Sequence, residues 1–210
     1  MQIARILYPV KVLGPGNRIG IWVNGCKRAC PGCANPELWE PDPKKNISIG
    51  QIRNMILAVM EKYPVDGITI SGGEPFLQTK ELAELMAMLK EYTDDVLIFT
   101  GYERRVLLER KKEAEATRYI LDAAAVLIDG KYVEEKNDGH PLRGSSNQRL
   151  YYRDESIKNR YEKYIQEQKQ EQYAQIFPAS DGTIMVGIHR KEFRDSMDSK
   201  MRERGIRKEE

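Results

Sequence analysis

The chain has 210 residues, is 40% hydrophobic and 31% charged, and sets 34 Lys and Arg against 32 Asp and Glu for a formal charge of +2. That balance describes an ordinary globular domain and offers no net field for nucleic acid or for an anionic membrane. Arg5 and Pro9 break the first apolar stretch before a signal-peptide core can form, and no apolar run reaches membrane length, so the sequence predicts a cytoplasmic chain with no nucleic-acid or membrane partner.

In chain order, Gly14-Pro15-Gly16 reads as a turn and Arg18 to Asn24 (RIGIWVN) as a strand. Ser48 to Tyr63 carries Ile49, Ile52, Ile56, Val59 and Met60 at helical spacing. A second short strand, Gly67 to Ile70, runs into Ser71-Gly72-Gly73-Glu74-Pro75. Thr79 is expected to cap a helix whose Leu82, Leu85, Met86 and Leu89 form one buried stripe. Val96 to Thr100 is a third strand, a charged helix spans about Glu103 to Asp122, and Ala125 to Ile128 is a fourth strand ending at Asp129-Gly130-Lys131. Beyond Leu150, Asp154 to Gln175 reads as a long helix, Thr183 to Ile188 as a further strand, and His189 to Glu210 as a solvated helix. The sequence therefore divides into a core over residues 1–150 and a C-terminal helical extension over 151–210, packed on the core and holding one extra strand.

The βαβαβαβ order predicts an α/β fold with a parallel sheet, in which functional groups gather at the carboxyl ends of the strands. The conspicuous polar motifs fall there. The first such loop is Cys26-Lys27-Arg28-Ala29-Cys30-Pro31-Gly32-Cys33, which holds all three cysteines of the chain. An odd count at this spacing does not describe a disulfide framework. Structural zinc needs a fourth ligand, and the only two histidines, His140 and His189, lie more than about a hundred residues downstream. Three thiolates are one short of the usual set for an iron-sulfur cubane, which leaves one iron open to another ligand. Lys27 and Arg28 are either solvated loop charges or cations beside a negatively charged cluster.

Gly72 and Gly73 would let backbone approach a ligand closely, with Glu74 as a charge on the rim; a plain turn has the same composition. Asp129-Gly130-Lys131 offers an acid and a base that could meet a zwitterion, and is equally a strand-end turn.

C-x3-C-x2-C after one strand with Gly-Gly-Glu-Pro after the next resembles the radical S-adenosylmethionine (SAM) superfamily. Tyr8-Pro9-Val10, Gly14-Pro15-Gly16-x-Arg18, Cys30-Pro31-Gly32-Cys33 with Asn35 and Trp39, Thr100-Gly101-Tyr102 and Arg143-Gly144-Ser145-Ser146-Asn147-Gln148 narrow the likeness to the activating components of anaerobic, class III ribonucleotide reductases. Gly32 precedes the third cysteine, as it does in the narrower family; Ala34 follows it, where that family often has an aromatic residue. The resemblance implies an incomplete (β/α) barrel of the radical SAM type, with parallel strands and outer helices. It implies a 4Fe-4S cluster on Cys26, Cys30 and Cys33, with SAM on the open iron. Gly72 and Gly73 would meet the methionine amino group, and Gly32 to Ala34 would pass beside the adenine. Glu74, Pro75, Thr100, Asp129, Gly130 and Lys131 complete the implied cofactor-binding set. Tyr102, Arg143, Ser145, Ser146, Asn147 and Gln148 fall in the implied vicinity of the partner, and Trp39 could line the rim with Tyr102.

A valine at position 73 is expected to leave the cluster in place and to crowd the ligand. The implied activity is reductive cleavage of SAM and formation of a glycyl radical on a partner enzyme, served by a one-electron donor such as flavodoxin or ferredoxin. Two other readings stay open: a radical SAM enzyme acting on a different polypeptide, and a non-catalytic iron-sulfur protein.

Overall fold

The protein is described by a computed structural model over residues 1–110, 113–168, 174–179, 182–189 and 191–204. Six strands form one sheet in sequence order: β1 (Ile3–Val10), β2 (Arg18–Val23), β3 (Gly67–Gly72), β4 (Val96–Phe99), β5 (Val126–Asp129) and β6 (Arg149–Tyr152). Neighbours from β2 to β5 are parallel, and β1 and β6 pair antiparallel at the two edges. The fold is therefore mixed α/β with a parallel-rich sheet. Among the described residues the ladder runs in line from β1 to β6 and does not close on itself.

Helices make the crossovers that parallel neighbours need. α1 (Ile49–Met60) links β2 to β3, and α2 (Thr79–Leu89) links β3 to β4. α3 (Arg104–Leu108) and α4 (Ala114–Ala123) together link β4 to β5, so the single predicted helix over 103–122 is two. α1 begins at a reciprocal capping box between Ser48 and Gln51. Thr79 does not cap α2. It is the helix's first residue, after a 3-10 turn over Pro75–Gln78, and its hydroxyl lies 2.9 Å from both the Phe76 carbonyl and the Glu113 carboxylate.

Alternation along the strands sends side chains to two faces. Ile19, Ile21, Ile68, Ile70 and Ile98 pack under Ile52 and Ile56 of α1 and under Leu82, Leu85, Met86 and Leu89 of α2. On the other face, Leu97, Val126 and Ile128 meet Tyr161, Tyr164 and Ile165 of α5 (Glu155–Gln168). Beside them Val10, Val12, Leu13, Trp22 and Leu38 meet Val186 of a hairpin formed by β7 (Gln175–Ala179) and β8 (Gly182–Val186). The strand predicted over 183–188 is thus one arm of a pair, and Gln175, predicted helical, opens the other. α6 (Lys191–Glu203) follows. The predicted helical residues 169–173, 190 and 205–210 lie outside the described residues.

Arg18, at the start of β2, is fully buried. Its Nε donates to Thr69 Oγ1 at 2.7 Å, and its Nη2 donates to Ile68 O at 2.7 Å and to Asp95 Oδ1 at 3.0 Å. Two residues of α5 share that carboxylate: the Tyr161 hydroxyl donates to Oδ1 at 2.6 Å, and Arg160 Nη1 stands 2.9 Å from Oδ2. Burial pushes the Tyr161 hydroxyl well above its ordinary range, so it stays a donor. α5 is in this way fastened to the amino end of the sheet. Among the described residues no helix is long and apolar enough to cross a membrane.

Candidate functional site

A cavity of about 200 Å³ opens at the carboxyl ends of β2 to β5. Cys26, Cys30 and Cys33 all line it, half-buried and not disulfide-bonded. Their loop is shaped by backbone hydrogen bonds: Gly25 N–H donates to Leu38 O at 2.9 Å, Cys26 N–H to Trp39 O at 2.8 Å, and Cys33 N–H to Cys30 O at 3.1 Å. Ala29 takes the left-handed region with φ 42°, which an alanine adopts only when its surroundings impose it.

Two amides point at sulfur. Arg28 N–H lies 3.4 Å from Cys26 Sγ, and Asn35 N–H lies 3.4 Å from Cys33 Sγ. Such donors favour thiolate over thiol, which is what an iron ligand must become. Burial acts the other way and raises the Cys26 thiol, with the Arg28 amide opposing it. Among the described residues no three His, Cys, Asp or Glu side chains converge closely enough to share one metal ion. A cubane asks for less convergence, because each thiolate binds its own iron. The donor set and its amide environment therefore fit such a cluster.

The next loop is bound to the first. Gly73 N–H donates to Val23 O at 2.8 Å and Glu74 N–H to Gly25 O at 2.9 Å. Gly72 has φ 110°, and a Cβ there would collide with the Val23 backbone; one on Gly73 would collide with the Gly25 carbonyl. The cysteine loop itself thus requires glycine at position 73, which corrects the expectation that a valine would crowd only the ligand.

Glu74 reaches the cavity wall, yet it is 1% exposed, so it is not a solvated rim charge. Its carboxylate accepts from Phe76 N–H at 3.0 Å, the Thr100 hydroxyl at 2.8 Å and Gly101 N–H at 2.7 Å. Burial raises this carboxyl above its ordinary range, against the pull of those donors and of the Arg28 guanidinium. Thr100 N–H continues the chain of contacts to Ile128 O at 2.9 Å, and Gly130 N–H donates to Tyr102 O at 3.1 Å.

The predicted residues are not all at the cavity. Gly32, Ala34, Gly72, Gly73, Glu74, Thr100, Gly130 and Gln148 line it with the cysteines, as does Trp39. Pro75 is buried and opens the 3-10 turn. Asp129 is buried away from the cavity, accepting from Arg104 N–H at 2.6 Å and Arg149 N–H at 3.2 Å. Lys131 is exposed, and its carbonyl accepts from Asn147 Nδ2 at 2.9 Å. Tyr102 is held between Arg28 and Arg110, each guanidinium 4.0 Å from its ring centroid.

The Arg143 to Gln148 motif folds the segment after β5. Arg143 pairs with Asp138 at 2.6 Å, the Ser145 hydroxyl accepts from Val133 N–H at 3.2 Å, and Ser146 N–H donates to Lys136 O at 2.7 Å. Gln148 accepts from Gly144 N–H at 2.8 Å and donates to Gly130 O at 2.8 Å. Of this motif only Gly144 and Gln148 line the cavity. Phe99, Tyr132, Glu134, Asn137 and the segment Gly187, Ile188 and His189 line it without having been predicted. No spacing in the sequence ties these residues to the cysteines.

Residues 12–151 match the family model described as a 4Fe-4S single cluster domain. The anaerobic ribonucleoside-triphosphate reductase-activating protein of Escherichia coli (strain K12) is 31% identical over 155 residues, covering 69% of this chain and 95% of its own length. The chain belongs to this family of activating proteins. The activating protein of Enterobacteria phage T4 is 30% identical over 150 residues, 69% of this chain and 90% of that protein. That of Salmonella typhimurium is 30% identical over 154 residues, 69% and 95%. In this activating-protein family the 4Fe-4S match ends at residue 151, so α5, the β7–β8 hairpin and α6 lie outside it.

Proposed function

We propose that the protein is a radical SAM activating enzyme that generates a glycyl radical on an anaerobic ribonucleoside-triphosphate reductase. One observation carries this reading: a single cavity is lined both by Cys26, Cys30 and Cys33 and by Ser71 to Glu74. Cys26, Cys30 and Cys33 would hold a 4Fe-4S cluster that, once reduced by the electron donor, would supply the single electron needed to cleave SAM into methionine and a 5'-deoxyadenosyl radical, the species that would take hydrogen from a glycine of the partner.

The chain's own share is holding and shielding. Cys26, Cys30 and Cys33 would hold three irons, and amide donors beside two of the sulfurs would favour the charged form. Gly73 and Glu74 have committed their N–H groups to Val23 and Gly25, so these two amides are not open to an arriving anionic group. Gly32, Ala34, Thr100 and Gly130 would flank the rest of the cofactor. In the same reading the sheet is an incomplete (β/α) barrel, residues 1–150 are the activase-like core, 151–210 an extension, and a cytoplasmic flavodoxin or ferredoxin the electron donor.

Anaerobic reconstitution should give about four irons and four sulfides per chain, and each Cys→Ala variant should fall well short. SAM added to the reduced protein should yield 5'-deoxyadenosine, and mixing with an anaerobic ribonucleotide reductase should produce a glycyl-radical doublet in the EPR spectrum. A cluster without 5'-deoxyadenosine would reduce the protein to a non-catalytic iron-sulfur protein. The residues beyond the family match favour one alternative, a different polypeptide target, and a doublet on another glycyl-radical enzyme but not on the reductase would establish it.

A further inference from the structure

The cavity is built almost wholly from residues inside the family match, with one exception. Gly187, Ile188 and His189 come from beyond it and stand in the same wall as Asn137 and Tyr132. Relatives covered over 90–95% of their own length by 69% of this chain leave little room for such a segment. We infer that Gly187–His189 is a built-in wall of the SAM pocket, that Asn137 and Ile188 are its positioning residues, and that residues after the family match set the affinity for the cofactor. The inference rests on the SAM reading above.

The wall is anchored on both sides. Asn137 Nδ2 donates to His189 O at 2.8 Å, joining it to the segment that follows β5. Asn137 is itself shaped by that segment, since its Oδ1 accepts from Gly139 N–H at 3.0 Å. Preceding residues of the hairpin are held by the core. Val186 is buried with Val10, Trp22 and Leu38, and Phe177, Ile184 and Ile188 pack against the same cluster. Lys11 N–H donates to Gln175 Oε1 at 2.6 Å, and Gln175 Nε2 donates to Pro9 O at 3.0 Å, so the hairpin is fastened at its base to the end of β1. At the end of the wall, the His189 ring stacks on Phe193 of α6, with centroids 4.5 Å apart and planes inclined by 12°.

A segment fixed before it by the hairpin, with a hydrogen bond from Asn137 at its tip, presents a preformed surface. Ile188 adds an apolar side chain to a cavity that Trp39 and Phe99 also line, beside polar groups such as Glu74, Thr100 and Gln148 that could fix a ligand's orientation. A preformed wall raises affinity because its ordering is completed when the chain folds.

The test uses full-length, cluster-loaded protein and S-adenosylhomocysteine, which lacks the sulfonium, in anaerobic titration calorimetry. Asn137→Asp, which removes the donor but keeps an acceptor, should weaken binding roughly fivefold. Ile188→Ala should weaken it by about three- to tenfold, while Ile176→Ala, at an exposed position of the same hairpin, should leave it unchanged. Hydrogen exchange of the amides over 182–189 should slow when the ligand is added. Wild-type affinity in both Asn137→Asp and Ile188→Ala, or unchanged exchange over 182–189, would overturn the inference while leaving the SAM reading intact. Absence of binding by the wild type would overturn both. Unchanged affinity with a lowered glycyl-radical yield would assign the wall to the polypeptide and overturn its role toward SAM.

Discussion

A Cβ placed on Gly73 would fall on the carbonyl oxygen of Gly25, the residue before the first cysteine. The two loops are in backbone contact, so a side chain at position 73 displaces the cysteine loop itself. Gly73→Ala is expected to lower the iron and sulfide bound after anaerobic reconstitution, and to destabilise the chain by about 1–3 kcal/mol. Iron analysis and urea unfolding of the metal-free protein would check both. Full cluster content in Gly73→Ala would mean that the loops can separate at no cost.

Glu74 accepts three hydrogen bonds from two different loops. Glu74→Gln turns one acceptor oxygen into a donor that faces a donor, and should cost about 1–3 kcal/mol at neutral pH. The pH dependence has a definite sign. With its carboxyl raised above the ordinary value of 4.5, the folded chain keeps a proton that the unfolded chain has released. The associated stability is present below the unfolded value and is lost as pH rises through the raised one. The stability gap between wild type and Glu74→Gln should therefore shrink from acidic toward neutral pH, measured by denaturant titration at a series of pH values. A gap that widened would contradict the raised carboxyl.

Asp95 is the counter-charge of a fully buried arginine. Asp95→Ala would leave Arg18 buried and unpaired, a change expected to cost about 3–5 kcal/mol, whereas the double variant Arg18→Met with Asp95→Leu should recover much of it. Both alterations lie at the amino end of the sheet, so any folded fraction should still bind iron. Thermal unfolding compared with iron content would separate the two effects.

Tyr102 has two guanidinium groups, those of Arg28 and Arg110, against its ring. Tyr102→Leu should cost about 1–2 kcal/mol, two stacked cation contacts at a partly buried site, with iron content unchanged. A wild-type unfolding midpoint would show that the arginines find equivalent partners.

The parallel strands were legible because strands buried on both faces read as short β-branched runs, and GITI, VLIF and VLID are such runs. The edge strands were not. β1 is half-buried through most of its length and carries Arg5 and Pro9, which break any apolar pattern. β6 is four residues beginning with an exposed Arg149. β7 contains Pro178, a residue that argues against a strand when read without its partner.

Cys26, Cys30, Cys33, Gly72 and Gly73, singled out in the sequence by spacing and residue type, all line the cavity. Asp129, Lys131 and most of Arg143 to Gln148 do not line it, because a polar motif at a strand end can brace a loop as readily as face a cavity. Ile188 and His189 had no local mark, since their place depends on how a hairpin folds back more than a hundred and fifty residues after the cysteines.

The Glu74 carboxylate, the Gly25 carbonyl and the Tyr102 carbonyl join neighbouring loops of the rim to one another through the chain's own hydrogen bonds. A socket braced in this way has its shape before anything enters it. Under the proposed function, loading should then behave as a single bimolecular event, with a rate that rises in proportion to SAM concentration and no plateau from a slow isomerisation before binding.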